Sequence, residues 1–282
     1  MLVTTLIENT KTDERIGLTA EHGLSLHISL GQETILFDTG ASGALSDNAE
    51  RLGIDLPHVD AAVLSHHHYD HGGGLHRFFS LNHNATVYLK RPPEGACYFK
   101  DSPKYERFIG LDSEILKTHR GRFTYVEQTT EILTGVYIFP KIGNTRPKPK
   151  GNSRLYIKKG TTWSVDPFEH ELAMAVREND TLSIFTGCAH NGLLNIIDTI
   201  SATFGRIPIR LVIGGFHLVT IPKSTSTADS ENDIRNIAAT IDQYLVGMVY
   251  TGHCTSDKAY DILKSVLGEK MQRLHTGSVL QI

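Results

Sequence analysis

The sequence predicts an α/β sandwich of two or four layers, and three observations support this prediction. Short runs of β-branched and apolar residues, bounded by Gly, Asp or Asn, recur along the 282 residues and are typical of strands. Segments with helical periodicity separate these runs in the last third of the chain. The composition, 40% hydrophobic and 21% charged, is ordinary for a globular protein with a sizeable core. Such elements pack as sheets covered by helices.

The first half of the chain contains five predicted strands and one predicted helix. The strands have the sequences LVTTLIE, LSLHISL, ETILFDTG, AAVLSHH and ATVYLK. The helix lies within ASGALSDNAERLGI, where Leu45, Ala49 and Leu52 recur at helical spacing. The strands follow each other with few residues between them, so we expect neighbouring strands to pair.

The second half repeats strands at wider intervals. The predicted strands are GVYIFP, RLYIKKG, LAMAVRE, TLSIFTGC, RLVIGGFHL, MVYTGHC and SVLQI, and the predicted helices are NGLLNIIDTISATFG, ENDIRNIAATIDQYL and SDKAYDILKSVLG. No linker rich in Gly, Ser or Pro divides the chain, so we expect a single domain over residues 1–282. We expect inserted loops near 91–110, which mixes Pro, Gly and aromatic residues, and near 141–160.

Charge and cysteine content exclude several classes of protein. The net charge of −3 argues against nucleic-acid and membrane-surface partners, which need a basic excess. No stretch is apolar and long enough to span a bilayer, and the first residues lack the features of a signal peptide. The three cysteines have no CxxC spacing and fit a reducing compartment, so we expect a cytoplasmic protein. The oligomeric state is left open.

The stretch LSHHHYDHGGGL places four histidines and an aspartate within six residues. Because alternate side chains of an extended chain face the same way, His66 and His68 can converge on one ion. Asp70 and His71 follow at a turn and can reach a second ion, while the glycines allow close backbone approach. A chance cluster in a polar loop is the alternative, but the interleaved Asp and the glycines argue against it. The stretch predicts a metal site.

These residues carry a resemblance to a known family. The pattern H-x-H-x-D-H, together with Asp38 in the upstream ILFDTG, resembles the metallo-β-lactamase superfamily, and the matches extend along the chain to His253. Further stretches, EHGLSLHI, FTGCAHNGLLNII, IGGFHL and TGHCTSDKA, are similar to a branch of metal-dependent hydrolases related to 7,8-dihydropterin-6-methyl-4-(β-D-ribofuranosyl)aminobenzene 5′-phosphate synthase. The resemblance implies an αββα four-layer sandwich.

The resemblance also implies two groups of metal ligands. His190 joins the first two histidines of the motif, His66 and His68, at the first ion. His253 joins the Asp70–His71 pair of the motif at the second ion. The implied cofactors are therefore two divalent metal ions, with zinc as the first choice and iron or manganese as alternatives.

Two residues near the motif have open roles. The superfamily commonly places a bridging Asp after the strand that here ends in TGC, and Cys188 occupies that position. Cys188 is a soft metal ligand, a replacement for the bridge, or a buried thiol without a role. Asp38 is expected to accept a hydrogen bond from a metal-bound histidine and to orient its ring, which is compatible with its place in a DTG turn.

Catalysis and substrate binding have further candidates. Asp70 and His217 are the candidate catalytic groups; His217, in GGFHL, could contact substrate, donate a proton or bond a core partner. The segment 141–160 holds seven Lys or Arg and no acid. If it folds over the cleft, its side chains could bind a phosphate or carboxylate, although a solvated loop is the alternative. The candidates for substrate binding are Arg146, Lys148, Lys150, Arg154 and His217.

The predicted function is hydrolysis of an anionic small-molecule ester, such as a phosphoester, by a metal-activated water. Two alternatives remain. One is the transferase activity implied by the branch, a pterin/ribofuranosylaminobenzene phosphate synthase. The other is a metal-containing ligand-binding protein with little turnover, and measured turnover distinguishes it from both enzymes.

Overall fold

The computed structural model describes residues 1–12, 17–102, 105–220 and 225–282. Its strands are β1 (Leu2–Ile7), β2 (Ser25–Leu30), β3 (Glu33–Phe37), β4 (Ala61–Val63), β5 (Thr86–Leu89), β6 (Ala96–Ser102), β7 (Tyr105–Phe108), β8 (Phe123–Tyr125), β9 (Thr130–Leu133), β10 (Val136–Phe139), β11 (Leu155–Lys159), β12 (Thr162–Val165), β13 (Ala173–Glu178), β14 (Thr181–Thr186), β15 (Ile209–Gly214), β16 (Met248–Thr251), β17 (Met271–Arg273) and β18 (Val279–Gln281). Its α-helices are α1 (Ala44–Arg51), α2 (Tyr69–Gly72), α3 (Leu75–Leu81), α4 (Ser113–Thr118), α5 (Leu193–Phe204), α6 (Glu231–Gln243) and α7 (Asp257–Leu267).

Two seven-stranded sheets form the centre of the fold. The first has the order β18-β1-β2-β3-β4-β5-β8 and the second the order β17-β16-β15-β14-β13-β10-β9. In the first sheet β3, β4, β5 and β8 run parallel, and in the second β14, β15, β16 and β17 do so. Parallel strands need crossover connections, and the helices supply most of them.

Helices cover the outer face of each sheet, which produces four layers. A core between the two sheets contains Phe37 of β3 and Phe185 of β14, whose ring centroids are 6.2 Å apart. A second core packs α1, α3 and α4 on the first sheet, with Leu45 and Phe78 fully buried. A third packs α5, α6 and α7 on the second sheet, with Ile196 fully buried. The αββα sandwich expected from the resemblance is therefore confirmed.

Parts of the two segments expected to be inserted loops contribute strands to a third sheet. Its order is β12-β11-β6-β7, and β6 pairs with β11 across more than fifty residues of sequence. The expectation of a loop over 91–110 was wrong for the residues described there, because alternation of buried Cys97 and Phe99 with half-exposed neighbours makes a strand. In 141–160, Lys150–Arg154 form a 3-10 helix and Leu155–Lys159 form β11, so only the residues before Lys150 are irregular.

The carboxyl ends of parallel strands bring the chemistry-bearing residues together. Thr186, Gly214 and Thr251 end three adjacent strands in register, so the loops after them open at one edge of the second sheet. His217 and His253 lie in such loops, Asp38 lies in the corresponding loop after β3 of the first sheet, and the three residues have φ angles of 48°, 45° and 58°. Left-handed backbone is costly for residues with a Cβ and concentrates at functional sites. Among the described residues, no helix is long and apolar enough to cross a membrane.

Candidate metal centre

The histidine motif begins just after β4 and converges as its alternation predicts. His66 Nε2 lies 3.1 Å from His68 Nδ1, and both side chains are buried. The chain then turns into α2, which carries Asp70 and His71. The structure therefore brings all four working residues of the motif to one place.

The glycines after the motif allow two backbone segments to touch. A Cβ on Gly73 would collide with the carbonyl oxygen of Ala41, and one on Gly74 would collide with that of Thr39. The loop after β3, which carries Asp38, is thus packed directly against the turn between α2 and α3. A side chain at either glycine would push these segments apart.

His190 completes the first group of ligand atoms. One ligand atom each of His66, His68 and His190 lies within 4.8 Å of the others. Burial lowers the pKa of His68 to about 3 and holds the pKa of His66 and His190 well below the usual range. These imidazoles are neutral at pH 7, the form that binds metal ions.

The second group consists of Asp70, His71 and His253. His71 Nε2 lies 3.0 Å from His253 Nε2, and Asp70 Oδ2 lies 3.4 Å from the same nitrogen of His253. Burial raises the pKa of Asp70, but the neighbouring histidines His22, His253 and His71 together outweigh this effect and hold the pKa well below its usual range. Asp70 is therefore a carboxylate at neutral pH.

Hydrogen-bond partners show which ring nitrogens carry lone pairs. His71 Nδ1 lies 2.6 Å from Asp38 Oδ2, and His253 Nδ1 lies 3.0 Å from Asn9 Oδ1. Because both partners are acceptors, each Nδ1 donates its ring proton to them, and in the neutral ring each Nε2 holds a lone pair; burial lowers the pKa of His71 but Asp38 outweighs it and raises that pKa, so a metal ion bound there displaces the second ring proton. The two lone pairs face each other at 3.0 Å, an arrangement that a cation between them satisfies.

The first group shows the same chemistry. Ser65 Oγ donates its proton to Asp38 and lies 2.9 Å from His66 Nδ1, so that nitrogen donates and Nε2 holds a lone pair. His190 Nδ1 faces Asn152 Oδ1 at 2.9 Å, which leaves a lone pair on its Nε2. Among the residues described, neither His190 Nε2 nor His68 Nε2 has a hydrogen-bond partner, although both atoms are buried.

The distances between the candidate ligand nitrogens fit a metal ion. Two nitrogen ligands at 2.0–2.1 Å from a tetrahedral zinc lie about 3.3–3.4 Å apart. The separations at His66–His68 and His71–His253, 3.1 and 3.0 Å, are close to this value. Both groups could therefore hold a divalent ion with little rearrangement.

Cys188 lies between the two groups. Its Sγ is 3.2 Å from His71 Nε2 and within 4.8 Å of a ring nitrogen of His66. This is the position expected of a bridging ligand. Burial raises the pKa of the Cys188 thiol well above its usual value. Cys254 lies beside it, and its Sγ accepts a hydrogen bond from the backbone N–H of His217.

His217 faces the same cavity. Both of its ring nitrogens are buried and have no partner among the residues described. Its ring centroid is 4.2 Å from that of His190. The side chain is thus available for contact with a bound molecule, and its catalytic role stays a prediction.

The four cations of the 141–160 segment are engaged away from this cavity. Arg146 pairs with Asp198, Lys150 with Asp233 and Arg154 with Asp101, while Lys148 donates to Asn191 and to the Pro167 carbonyl. None of the four lies on the described wall of the cavity. Their role in substrate binding has no support from these contacts and stays a prediction.

Several supporting residues escaped the sequence analysis. Glu8 accepts the backbone N–H of His253, Glu171 accepts that of His190, and Asn9 and Asn152 orient the rings. These residues are remote in sequence from their partners, and no local sequence pattern predicts their role. A buried cluster of Cys97, Asp166 and His170 also adjoins His68, with His170 Nε2 donating to Asp166 at 2.9 Å.

The ligand groups form the floor of a cavity of about 410 Å³. Apolar and aromatic side chains form much of its wall, together with His22 and Arg107. A volume of this size accommodates a small organic molecule.

Comparison with known proteins agrees with this geometry. The model of the metallo-beta-lactamase superfamily matches residues 19–155. A solved metal-dependent hydrolase of the beta-lactamase superfamily is 30% identical, with a TM-score of 0.81 over 100% of this chain and 99% of that chain. The 7,8-dihydropterin-6-methyl-4-(beta-D-ribofuranosyl)-aminobenzene-5′-phosphate synthase of Methanocaldococcus jannaschii is 26% identical, covering 93% of this chain and 90% of its own length. The Bacillus subtilis protein YhfI, at 14% identity, shares the fold with a TM-score of 0.58 over 99% of each chain. The match in sequence, in fold and along the full length shows that this chain belongs to the metallo-β-lactamase superfamily.

Proposed function

We propose that the chain is a metal-dependent hydrolase of an anionic small-molecule ester, with phosphoesters as the first class to test. The observation that carries the proposal is the pair of facing Nε2 atoms of His71 and His253, which are 3.0 Å apart and buried. We propose zinc, with iron or manganese as alternatives, because imidazole, carboxylate and thiolate donors suit these ions. Two such ions, when bound, supply Lewis-acid activation of a water nucleophile and stabilise developing negative charge.

Side chains of this site bind the ions, orient the ligands and contact the substrate. His66, His68 and His190 hold the first ion, and Asp70, His71 and His253 hold the second, while Cys188 lies between the groups. Asp70 also accepts a hydrogen bond from His22 at 3.2 Å, which fixes its carboxylate at the cavity floor. The unpartnered ring nitrogens of His217 can bind the substrate or donate a proton to its leaving group.

The test combines metal analysis with a substrate panel. Purified protein, reconstituted with zinc, iron or manganese, should bind two ions per chain and hydrolyse at least one of a set of phosphomonoesters, phosphodiesters, carboxylic esters and lactones. Chelator should abolish turnover and the added ion should restore it. A double variant, H71A/H253A, should lose one ion and the activity. Protein that binds no ion after reconstitution contradicts the proposal.

A second candidate function is supported by one observation, the similarity to the M. jannaschii synthase over nearly the whole chain. The chain would then join a pterin and a ribofuranosylaminobenzene phosphate. Formation of that condensation product, without turnover of simple esters, favours this function. Two bound ions without turnover in either assay favour a ligand-binding protein.

We further propose an anionic small molecule as the partner, rather than nucleic acid or a membrane surface, because the net charge is −3. A cytoplasmic location is proposed because Cys97, Cys188 and Cys254 are all free thiols. Fractionation of cells that produce the protein tests this location.

A further inference from the structure

Arg107 is a cation in an unusual position. It lies on β7, opposite Phe99 of β6, and its side chain lines the cavity above the metal centre. Among the residues described, it is the only lysine or arginine on the cavity wall. The wall of a cavity that must bind an anion therefore has one guanidinium.

The contacts of Arg107 leave most of its hydrogen-bonding capacity unused. Its guanidinium lies 5.7 Å from the ring centroid of Tyr69, and Nη1 is 3.5 Å from the Tyr69 hydroxyl. No ion pair joins it to an acidic side chain in the described part of the chain. A guanidinium has five N–H donors, and two parallel ones match the oxygens of a carboxylate or phosphate.

Neighbouring cations behave differently. In the same small sheet Lys158 pairs with Glu106 and Lys159 pairs with Glu94. Arg154, just before β11, pairs with Asp101. These three cations thus have carboxylate partners and Lys100 of β6 lies over the Trp163 ring, whereas the guanidinium that faces the cavity has no carboxylate partner among the residues described.

An apolar wall accompanies this cation. Phe99, Ile109, Leu155 and Val219 line the cavity and are almost fully buried. The exposed ring of Tyr105, at 6.2 Å from that of Phe99, widens the aromatic part of the wall. A flat hydrocarbon body would bury apolar area here, whereas a small polar substrate would not.

We propose that Arg107 determines specificity by binding an oxyanion on the substrate, a carboxylate or a phosphate, at a distance from the ester that is hydrolysed. The substrate class is an aryl or similarly apolar ester that carries this second anionic group. This inference rests on the proposed function, because the ester must lie at the ligand groups. In this proposal Arg107, rather than the cations of the 141–160 segment, supplies the anion site.

Binding of inert ligands tests the proposal without turnover. Phenylphosphonate supplies one anionic group, and a series that adds a carboxylate or a second phosphonate at the meta or para position, directly or through one methylene, supplies the second. Calorimetric titration of the zinc-loaded protein should find at least one of the series bound about tenfold more tightly than phenylphosphonate, the effect of a charge-assisted hydrogen bond. The best carboxylate and phosphonate members show which oxyanion is preferred.

Variants test whether Arg107 causes the preference for a second anionic group. R107M should reduce the preference to less than twofold and leave phenylphosphonate affinity unchanged, while R107K should keep part of the preference. R91M, which removes an arginine paired with Glu127 outside the cavity, is the matched control and should behave as wild type. A flat series in the wild type, or a preference that R107M keeps, overturns the inference but leaves the hydrolase proposal standing. Failure of zinc-loaded wild type to bind any phosphonate overturns both.

Discussion

At the scale of single residues, Asp38 is the group on which the orientation of the candidate ligands depends most. It accepts three hydrogen bonds, from the backbone N–H of Ser65, from the Ser65 hydroxyl and from His71 Nδ1, at 2.7, 2.7 and 2.6 Å. The last bond directs a lone pair of His71 toward His253. The Ser65 hydroxyl, which Asp38 holds in place, in turn lies 2.9 Å from His66 Nδ1 and orients the ring of His66. One carboxylate therefore orients a ligand ring in each group.

Replacing this carboxylate should weaken metal binding. In D38N the amide has only one acceptor oxygen for three donors, so His71 loses the partner that fixes its ring. We expect the Kd for zinc to rise by roughly 10–100-fold, as for other groups that hold metal-bound histidines. Competition with a chromophoric chelator measures the Kd. D261N, on the exposed side of α7, is the control. A Kd equal to that of the wild type would show that Asp38 has no part in metal binding.

Cys188 allows a second prediction at this scale. Its Sγ lies 3.2 Å from His71 Nε2, whereas Cys254, its neighbour, bonds the backbone of His217. Serine is a poor ligand because its hydroxyl does not ionise near neutral pH. We expect C188S to retain about one zinc ion per chain, C188D to restore the second ion, and C254S to bind as wild type. Elemental analysis after dialysis measures the count. Two tightly bound ions in C188S would exclude Cys188 as a ligand.

At the scale of elements, the site depends on how closely the loop after β3 approaches the start of α3. A Cβ on Gly74 would meet the Ser42 carbonyl oxygen at 2.7 Å and Leu45 Cδ2 at 2.6 Å, besides the carbonyl of Thr39. Most of these atoms belong to backbone that cannot move without displacing the loop that carries Asp38. Gly73 and Gly74 are therefore part of the metal site although they bring no ligand.

The variant G74A should consequently be destabilised. We expect its free energy of unfolding to fall by about 1–3 kcal/mol, the usual cost of overpacking. Urea denaturation measures this free energy, and its dependence on urea concentration should be the same as in the wild type. G121A is the matched control, because a Cβ there meets nothing within 4 Å among the described residues. Without a collision, G74A should be stabilised, because alanine favours helical backbone more than glycine does. A stabilised G74A would therefore contradict the expected collision.

The elements also show which features could be predicted from sequence. The histidine motif was predictable because its ligands lie within five residues of one another and its geometry is local. The third sheet was not, because its two hairpins, β6–β7 and β11–β12, join through the pairing of β6 with β11, and these two strands are more than fifty residues apart in the sequence. Asn152 and Asn9 escaped for the same reason: each orients a histidine that is remote in sequence.

At the scale of the whole molecule, the ligand groups join the two halves of the sandwich. The motif follows β4 of the first sheet, whereas His190 follows β14 and His253 follows β16 of the second. Each candidate ion would thus bind side chains from both sheets. Because the unfolded chain cannot offer such a set of ligands, metal binding adds to the free energy that holds the sheets together.

Removal of metal should therefore lower the stability of the whole chain in one transition. For zinc at one hundred times its Kd, a single site contributes roughly 2.7 kcal/mol. We expect chelator to lower the unfolding midpoint, and zinc to restore it, with a single transition in circular dichroism, because both sheets lose the same ligand, and with the fluorescence of Trp163, the one tryptophan and a residue of the third sheet, changing at the same midpoint. In H71A/H253A the shift should shrink, since only the first group remains. If chelator unfolded one sheet before the other, or left the midpoint of the zinc-loaded protein unchanged, the ions would not couple the two halves.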